Sequence, residues 1–220
     1  MKFGVVVFPG SNCDRDMIGA LRDELNQEVI ALWHKDKDLS MFGADDCIVL
    51  PGGFSYGDYL RCGAIARFSP MMQSIIAFAN IGGKVLGVCN GFQILCESGL
   101  LPGVLMRNAN MQFVCKNVFI KNKDNNVLKI PVAHGDGRFY AHQDILLQIQ
   151  EQKQVIYRYC SSEGSSDDDY SPNGSANNIA GIRNKEGNVY GMMPHPERAC
   201  SELIGNIDGR KIFSDLFSIN

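Results

Sequence analysis

The sequence predicts an α/β fold of the flavodoxin-like type, doubly wound around a mostly parallel central sheet. Helices are expected on both faces, with an appended antiparallel hairpin region. Short apolar runs alternate with longer amphipathic ones in the first hundred residues, which is typical of strand–helix–strand units. The second half pairs short strands across polar turns, which indicates antiparallel additions. The length of 220 residues suits one core, so residues 1–220 are predicted to form a single domain.

The first half contains the parallel strands. They are predicted at 3–8, 28–33, 47–50 and 85–88, where the sequence has short apolar runs rich in β-branched residues. Such runs are expected for strands that are buried on both faces. Helices are predicted between them at roughly 13–25, 65–80 and 90–98. Functional residues of such a sheet collect in loops at the carboxyl ends of its strands.

The second half carries the antiparallel strands. Strands at 114–120 and 127–132 flank a polar hairpin turn, and further strands are predicted at 155–160, 179–183 and 189–193. The stretch 161–175, which contains Asp167, Asp168 and Asp169, is predicted to be a solvated surface loop rather than an acidic metal site.

Composition excludes several classes of function. The formal charge is −3 and the isoelectric point is near 5.8, so the electrostatic footprint of a nucleic-acid-binding protein is absent. The first apolar run is short and is broken at Pro9-Gly10, which argues against a signal or membrane segment. The eight cysteines form no CxxC pair and are expected to be free thiols in a reducing cytoplasm.

The most specific motif surrounds Cys89, in a strand followed by Gly-x-Cys-x-Gly and a helix. This is the thiol form of a nucleophile elbow, in which Gly87 and Gly91 avoid collisions with the neighbouring strand and helix. The start of the helix favours a thiolate, and the backbone amide of Asn90 points to where an oxyanion would develop. A buried cysteine beside a tight turn is the alternative interpretation.

Two further segments follow predicted strands. The run Pro51-Gly52-Gly53 offers unhindered backbone amides, and Gly53 is a candidate second oxyanion donor, although a turn without a ligand produces the same pattern. His195 lies between two prolines, two residues before Glu197. A histidine can act as base and acid for a thiol, and a carboxylate can orient its ring, so Cys89, His195 and Glu197 form a candidate triad. The four histidines lack the spacing of metal ligands, and no metal site is predicted.

These three motifs together resemble the class I, or triad, glutamine amidotransferases along the whole chain. Segments such as 8–14, 52–66, 105–108, 132–138 and 191–199 are most similar to the glutaminase subunits of phosphoribosylformylglycinamidine synthases, in purine biosynthesis. The resemblance implies that Cys89 attacks the side-chain amide of L-glutamine, with His195 as acid and base and Glu197 as its orienting carboxylate. It implies an oxyanion hole from the backbone of Gly53 and Asn90, and glutamine-binding residues at Gly53, Phe54, Gln93, Asn108 and Gly137.

The resemblance also implies partners. The chain carries no ATP-binding motif, so no cofactor is expected in it, and ATP and magnesium are expected on a separate large synthetase subunit, often joined by a small bridging subunit. Residues 56–68 are a candidate partner-facing surface. A glutaminase subunit for histidine or anthranilate biosynthesis, or a non-catalytic regulatory module on the same fold, are the alternatives.

Overall fold

The computed structural model of the chain describes residues 1–166 and 170–219. The acidic run Asp167–Asp169, and with it the choice between a solvated loop and an acidic metal site, lies outside the described residues. No helix in the described ranges has the length and apolarity needed to cross a membrane.

Eleven strands are present in the described part of the chain, and all strands predicted from the sequence are among them. They are β1 (Lys2–Val7), β2 (Glu28–Trp33), β3 (Cys47–Leu50), β4 (Lys84–Val88), β5 (Val104–Met106), β6 (Val114–Lys121), β7 (Val127–His134), β8 (Arg138–Tyr140), β9 (Val155–Cys160), β10 (Ile179–Arg183) and β11 (Val189–Met192). The short strands β5 and β8 have no counterpart in the sequence-based prediction.

Five α-helices accompany these strands within the described ranges: α1 (Asp14–Gly19), α2 (Pro70–Asn80), α3 (Asn90–Glu97), α4 (Gln143–Glu151) and α5 (Asp208–Phe217). After α1 the chain continues as a π-helical segment, Ala20–Glu24. The helix predicted from residue 65 begins later, because Ser69 is extended and accepts a hydrogen bond from the Met72 amide at 3.3 Å. Pro70 then occupies the first helical position, where its missing N–H costs nothing.

The central sheet is mixed and has the strand order β2-β1-β3-β4-β11-β10-β9-β6-β7. Pairings from β2 through β11 are parallel, whereas those from β11 through β7 are antiparallel and include the predicted β6–β7 hairpin. Strands β5 and β8 form a separate antiparallel pair. Every residue of β3 is buried, so the centre of the sheet is covered on both faces. The predicted fold class is confirmed.

The topology places several loops at one edge. The carboxyl ends of β1, β3, β4 and β11 meet there because these strands are parallel. Strand β7 is four antiparallel pairings beyond β11 and therefore points the same way. With β2 and β9, which run in the same direction, seven strand-to-loop transitions share this edge, among them all three predicted motifs.

Candidate active site

Cys89 occupies a strained turn between β4 and α3. Its backbone has φ 50° and ψ −105°, in a region that side-chain-bearing residues rarely adopt. A Cβ on Gly91 would lie 1.9 Å from the Leu50 carbonyl oxygen, and one on Gly87 would lie 2.6 Å from Gly91 backbone. Helix α3 therefore approaches the sheet closely only because these positions are glycine. The elbow predicted from Gly-x-Cys-x-Gly is present.

His195 and Glu197 form a buried pair. The distance from His195 Nδ1 to Glu197 Oε1 is 2.7 Å, and the two side chains are only 2% and 0% exposed. The His195 amide donates to the Pro131 carbonyl at 2.8 Å, which fixes the segment against β7. With Nδ1 bound to the carboxylate, the ring's other nitrogen, Nε2, is buried without a hydrogen-bond partner among the described residues. It is free to exchange a proton with a nucleophile or a leaving group.

The electrostatic environment of His195 favours its charged form. Burial alone would lower the pKa of the imidazole, but the negative charges of Glu197 and Cys89 outweigh this effect and raise it. At neutral pH the ring is therefore a proton donor that can serve a leaving amine. Proton release to such a group returns the ring to the neutral form, which can then act as a base.

Gly52 shows how closely the nucleophile and the histidine approach each other. A Cβ on Gly52 would lie 2.7 Å from Cε1 of His195 and 3.4 Å from Cβ of Cys89. Both side chains therefore pack against the same backbone position at the end of β3. The sulfur of Cys89 also lies 3.7 Å from the carbonyl oxygen of Ala133, near the end of β7. The structure thus brings together Cys89, His195 and Glu197, although the first and the last are 108 positions apart in the sequence.

The predicted oxyanion donors are the backbone amides of Gly53 and Asn90. Asn90 is the first residue of α3, so its N–H has no acceptor within the helix. Its side-chain Oδ1 accepts from the Ser55 amide at 3.1 Å, which ties the loop after β3 to the elbow. The Phe54 amide donates to the Gly10 carbonyl at 3.0 Å, and this bond holds the loop at Gly53. These bonds hold the loop after β3 against the start of α3, and the role of the Gly53 and Asn90 amides as an oxyanion hole stays a prediction.

Gln93 and Asn108 are buried beside the turn at 135–137. The side-chain Nε2 of Gln93 donates to the Asp136 carbonyl oxygen at 2.7 Å, and its Oε1 accepts from Asn90 Nδ2 at 2.8 Å. The fully buried Asn108 accepts from the Gly137 amide at 3.0 Å and from His134 Nδ1 at 3.1 Å. These side chains fix the turn at 135–137. Their predicted role as direct glutamine contacts stays a prediction, as does that of the half-exposed Phe54.

Sequence reasoning missed three residues of this region. The turn at 135–137 is also held by Asn173, whose amide donates to the Gly137 carbonyl at 2.8 Å. His134 is buried between the two asparagines, and burial lowers its pKa to about 4. Cys13 lies at the loop after β1, with its sulfur 3.2 Å from the position of a Cβ on Gly52. The only sequence signal for Cys13 is its place between a strand and a helix.

One group of potential metal ligands occurs among the described residues. Donor atoms of Cys13, His195 and Glu197 lie within 4.8 Å of one another. However, the histidine and the carboxylate already bind each other, and Arg198 Nη2 donates to the Cys13 sulfur at 3.1 Å. A guanidinium at this sulfur opposes a cation electrostatically. The absence of a metal site stays a prediction.

All eight cysteines are unpaired in the structure, as expected for free thiols. Cys89 is distinguished from the others by the strained turn, and it is the cysteine that helps to raise the pKa of His195. The remaining thiols include buried packing residues such as Cys47 and the exposed Cys115.

Comparison with known proteins identifies the family. Residues 1–215 match the family model of the CobB/CobQ-like glutamine amidotransferase domain. The chain is 54% identical to phosphoribosylformylglycinamidine synthase subunit PurQ of Moorella thermoacetica, covering 98% of this chain and 95% of that one. It is 50% identical to the same subunit of Salinibacter ruber, covering 99% and 96%.

Two solved structures are similar to this chain in fold. A chain in the structure of PurLQS from Thermotoga maritima superposes with a TM-score of 0.84 at 40% identity, covering 99% of this chain and 97% of that one. A glutamine amidotransferase from Thermotoga maritima, at 15% identity and a TM-score of 0.55, covers 99% of this chain and 82% of its own and shares the fold. The chain belongs to the CobB/CobQ-like glutamine amidotransferase domain family.

Proposed function

We propose that this chain is the glutaminase subunit of a phosphoribosylformylglycinamidine synthase. It hydrolyses L-glutamine to glutamate and passes the ammonia to a synthetase that makes formylglycinamidine ribonucleotide in purine biosynthesis. The observation that carries the proposal is the buried His195–Glu197 pair beside the elbow at Cys89. Identity of 50% or more to PurQ subunits over nearly the whole chain selects the purine pathway over the histidine and anthranilate pathways.

The first half-reaction forms a thioester. The sulfur of Cys89 attacks the side-chain amide carbon of glutamine, and the backbone amides of Gly53 and Asn90 stabilise the negative oxygen of the tetrahedral intermediate. His195 donates its proton to the leaving nitrogen, so that ammonia departs and a γ-glutamyl thioester remains on Cys89. Glu197 keeps the ring oriented and stabilises its charged form.

The second half-reaction returns the enzyme to its starting state. The now neutral His195 accepts a proton from a water molecule that attacks the thioester carbonyl. The tetrahedral intermediate again lies against the backbone amides, and its collapse releases glutamate and the sulfur of Cys89. The sequence of steps consumes one water and one glutamine and yields one glutamate and one ammonia.

The ammonia is used on another chain. A large synthetase subunit binds ATP and magnesium and performs the amidine-forming step, and a small bridging subunit completes the complex. The similarity to a chain of PurLQS supports this assembly. Direct transfer matters because ammonia that escapes to neutral water becomes protonated and loses its nucleophilic lone pair. We place the complex in the cytoplasm, with no cofactor bound to this chain and no role for nucleic acid.

The test replaces the nucleophile. Cys89→Ala should abolish synthesis driven by glutamine in the reconstituted complex, while synthesis driven by added ammonium salt continues. Cys115→Ala, at an exposed thiol, is the matched control and should retain both activities. Glutamine-driven synthesis that persists in Cys89→Ala would refute the mechanism. Loss of both activities in a folded complex would assign Cys89 to the synthetase step instead.

A further inference from the structure

The loop 53–58 follows β3, begins at the candidate oxyanion donor Gly53 and has an unusual backbone. Tyr56, Gly57 and Asp58 have φ values of 55°, 74° and 51°, in the left-handed region. Two of these three residues carry a side chain, and L-residues with side chains rarely take this conformation. Such a backbone persists only where its surroundings hold it in place.

Tyr56 is held at both of its ends. Its backbone amide donates to the Pro9 carbonyl, in the loop after β1, at 2.6 Å. Its hydroxyl forms a hydrogen bond of 2.5 Å with Nδ1 of His34. Between these two contacts, its ring packs against the rings of Phe8 and His34, whose centres lie 6.3 and 5.4 Å from its own. Tyr56 thereby ties the loop 53–58 to the ends of β1 and β2.

His34 is a fixed support for this tyrosine. It directly follows β2 and is buried. Its backbone amide donates to the Val7 carbonyl at 3.2 Å, and its carbonyl accepts from the Met71 amide at 3.1 Å. Its ring is in T-shaped contact with the ring of Trp33, with centres 4.5 Å apart. The position of Nδ1 is therefore set by β1, β2 and α2, and not by the loop that it contacts.

The other side of the loop contacts the elbow at Cys89. The Ser55 amide donates to Asn90 Oδ1 at 3.1 Å, and Asn90 Nδ2 donates to Asp58 Oδ1 at 3.4 Å. Tyr56 lies between these two contacts along the chain, and Asn90 directly follows the nucleophile. A shift of Tyr56 would therefore displace the loop where it meets the start of α3.

We propose that His34 and Tyr56 are positioning residues that hold the loop 53–58 in the conformation that presents the Gly53 amide to the reacting carbonyl. They act through the backbone of the loop and not on the substrate. This inference rests on the proposed glutaminase function and on the part that the Gly53 amide plays in it.

The expected effect is on catalysis rather than on glutamine binding. An oxyanion donor stabilises charge that develops after the substrate is bound, so a loop that presents the donor poorly lowers kcat and leaves KM nearly unchanged. Removal of an oxyanion donor costs about 10²–10³-fold in kcat, and loss of one hydrogen bond that holds such a donor should cost less. Tyr56→Phe keeps the ring and removes the hydroxyl, and should therefore lower kcat about 3–10-fold.

The experiment measures kcat and KM for glutamine hydrolysis in the reconstituted complex. Tyr56→Phe is compared with His34→Ala, which removes the ring, and with His34→Asn, whose side-chain amide can form a hydrogen bond in place of Nδ1. His34→Asn should retain more of the wild-type kcat than His34→Ala. Tyr140→Phe is the matched control, since Tyr140 is an exposed tyrosine whose ring centre also lies near that of a histidine, His142, at 6.0 Å. It should leave both constants unchanged.

A second measurement separates the loop from the nucleophile. Alkylation of Cys89 by iodoacetamide displaces iodide and develops no oxyanion, so its rate should keep the wild-type value in Tyr56→Phe. Mass spectrometry of the peptide that contains Cys89 measures this rate. The double variant of His34→Ala with Tyr56→Phe should lose no more of kcat than His34→Ala alone, because both changes act through one hydrogen bond.

Several results would overturn the proposal. They are an unchanged kcat in Tyr56→Phe, a change confined to KM, an alkylation rate that falls together with kcat, and additive losses in the double variant. A His34→Asn variant no better than His34→Ala, or an equal loss in Tyr140→Phe, would do the same. A wild-type complex that does not hydrolyse glutamine would instead refute the proposed function, so the two failures are distinguishable.

Discussion

His195 is the residue whose surroundings decide the chemistry. Its imidazole is buried, bonded on one side to Glu197 at 2.7 Å and left free on the other side beside Cys89. Negative charge on both neighbours raises its pKa against the effect of burial. The proposed mechanism uses this histidine as an acid for the leaving group first and as a base for water second.

The first prediction concerns Glu197→Gln. The amide keeps the shape of the side chain but removes the negative charge that raises the pKa of His195. The basic limb of the pH profile should move to lower pH, and kcat/KM for glutamine should fall roughly 10²–10⁴-fold. Steady-state kinetics between about pH 6 and 10 measures both. Glu202→Gln, at an exposed glutamate, should change neither value; unchanged kinetics in Glu197→Gln would remove the carboxylate from the mechanism.

At the scale of elements, α3 and the turn at 135–137 hold the site. Helix α3 reaches the sheet through Gly91, and its first turn carries both Asn90 and Gln93. Asn108 and Asn173 hold the turn from two sides, with His134 between them. These hydrogen bonds fix the surroundings of Cys89, and the proposed mechanism requires such preorganisation.

The second prediction tests the close approach of α3. Gly91→Ala places a Cβ 1.9 Å from the Leu50 carbonyl oxygen, so the helix must move away from the sheet. The free energy of unfolding should fall by about 1–3 kcal/mol or more, with loss of glutaminase activity. Urea denaturation measures the change. Gly19→Ala, in α1, meets no atom closer than 3.7 Å and should be neutral or stabilising; equal losses in both variants would contradict the packing argument.

The third prediction concerns His134. Its Nδ1 faces Asn108 Oδ1 and its Nε2 faces the Asn173 amide, an arrangement that requires the neutral ring. Because burial lowers its pKa to about 4 from 6.5, the unfolded chain takes up the proton first as pH falls. Its contribution to stability is therefore complete above about pH 6.5 and is lost progressively towards pH 4.

The measurement is the free energy of unfolding at several pH values between these limits. His134→Gln should flatten the decline of stability with falling pH relative to wild type. His142→Gln, at an exposed histidine, should keep the wild-type slope. An unchanged slope in His134→Gln would show that this ring does not titrate differently in the folded and unfolded states.

At the scale of the whole molecule, an exposed apolar loop follows Gly53. This loop exposes Tyr59 to 87% and Leu60 to 80%, and its Ser55 amide donates to Asn90 Oδ1, next to Cys89. Exposed aromatic and aliphatic side chains next to a site are typical of docking surfaces. We therefore expect this loop to face the synthetase.

The fourth prediction tests whether the loop with Tyr59 and Leu60 faces the synthetase. The double variant Tyr59→Asp with Leu60→Asp should weaken the complex at least about tenfold, because two apolar contacts become charged. Binding to the synthetase can be measured by surface plasmon resonance, with alkylation of Cys89 as a check that the site is intact. Leu203→Asp, at a leucine that is 96% exposed on another surface, is the matched control. Equal weakening by both would move the interface elsewhere.

The sequence predicts much of this molecule because its signals are local. Buried strands appear as short β-branched runs, and the elbow at Cys89 is indicated by the glycines on either side of it. Helices α4 and α5 have no counterpart in the sequence-based prediction, and Gly209 near the start of α5 is unfavourable for a helix. The structure explains that glycine: a Cβ there would lie 2.0 Å from the Pro196 carbonyl oxygen, so α5 packs directly on the segment that holds His195.

The supports of the site are not predictable in the same way. Asn108 and Asn173 lie in turn-like stretches, where polar residues ordinarily face solvent. They are buried because β7 places His134 between them, although they lie 26 and 39 residues from it along the chain. The hydrogen bond from Arg198 to the Cys13 sulfur likewise joins residues 185 positions apart in the chain.

The central claim is that one thiol of eight is the nucleophile for glutamine, and covalent labelling tests it most directly. The complex is incubated with 6-diazo-5-oxo-norleucine, an electrophilic glutamine mimic, and the modified peptide is identified by mass spectrometry. The account predicts a single adduct on Cys89 that glutamine prevents and that Glu197→Gln slows. An adduct on another cysteine, or labelling spread over several of them and unaffected by glutamine, would contradict it.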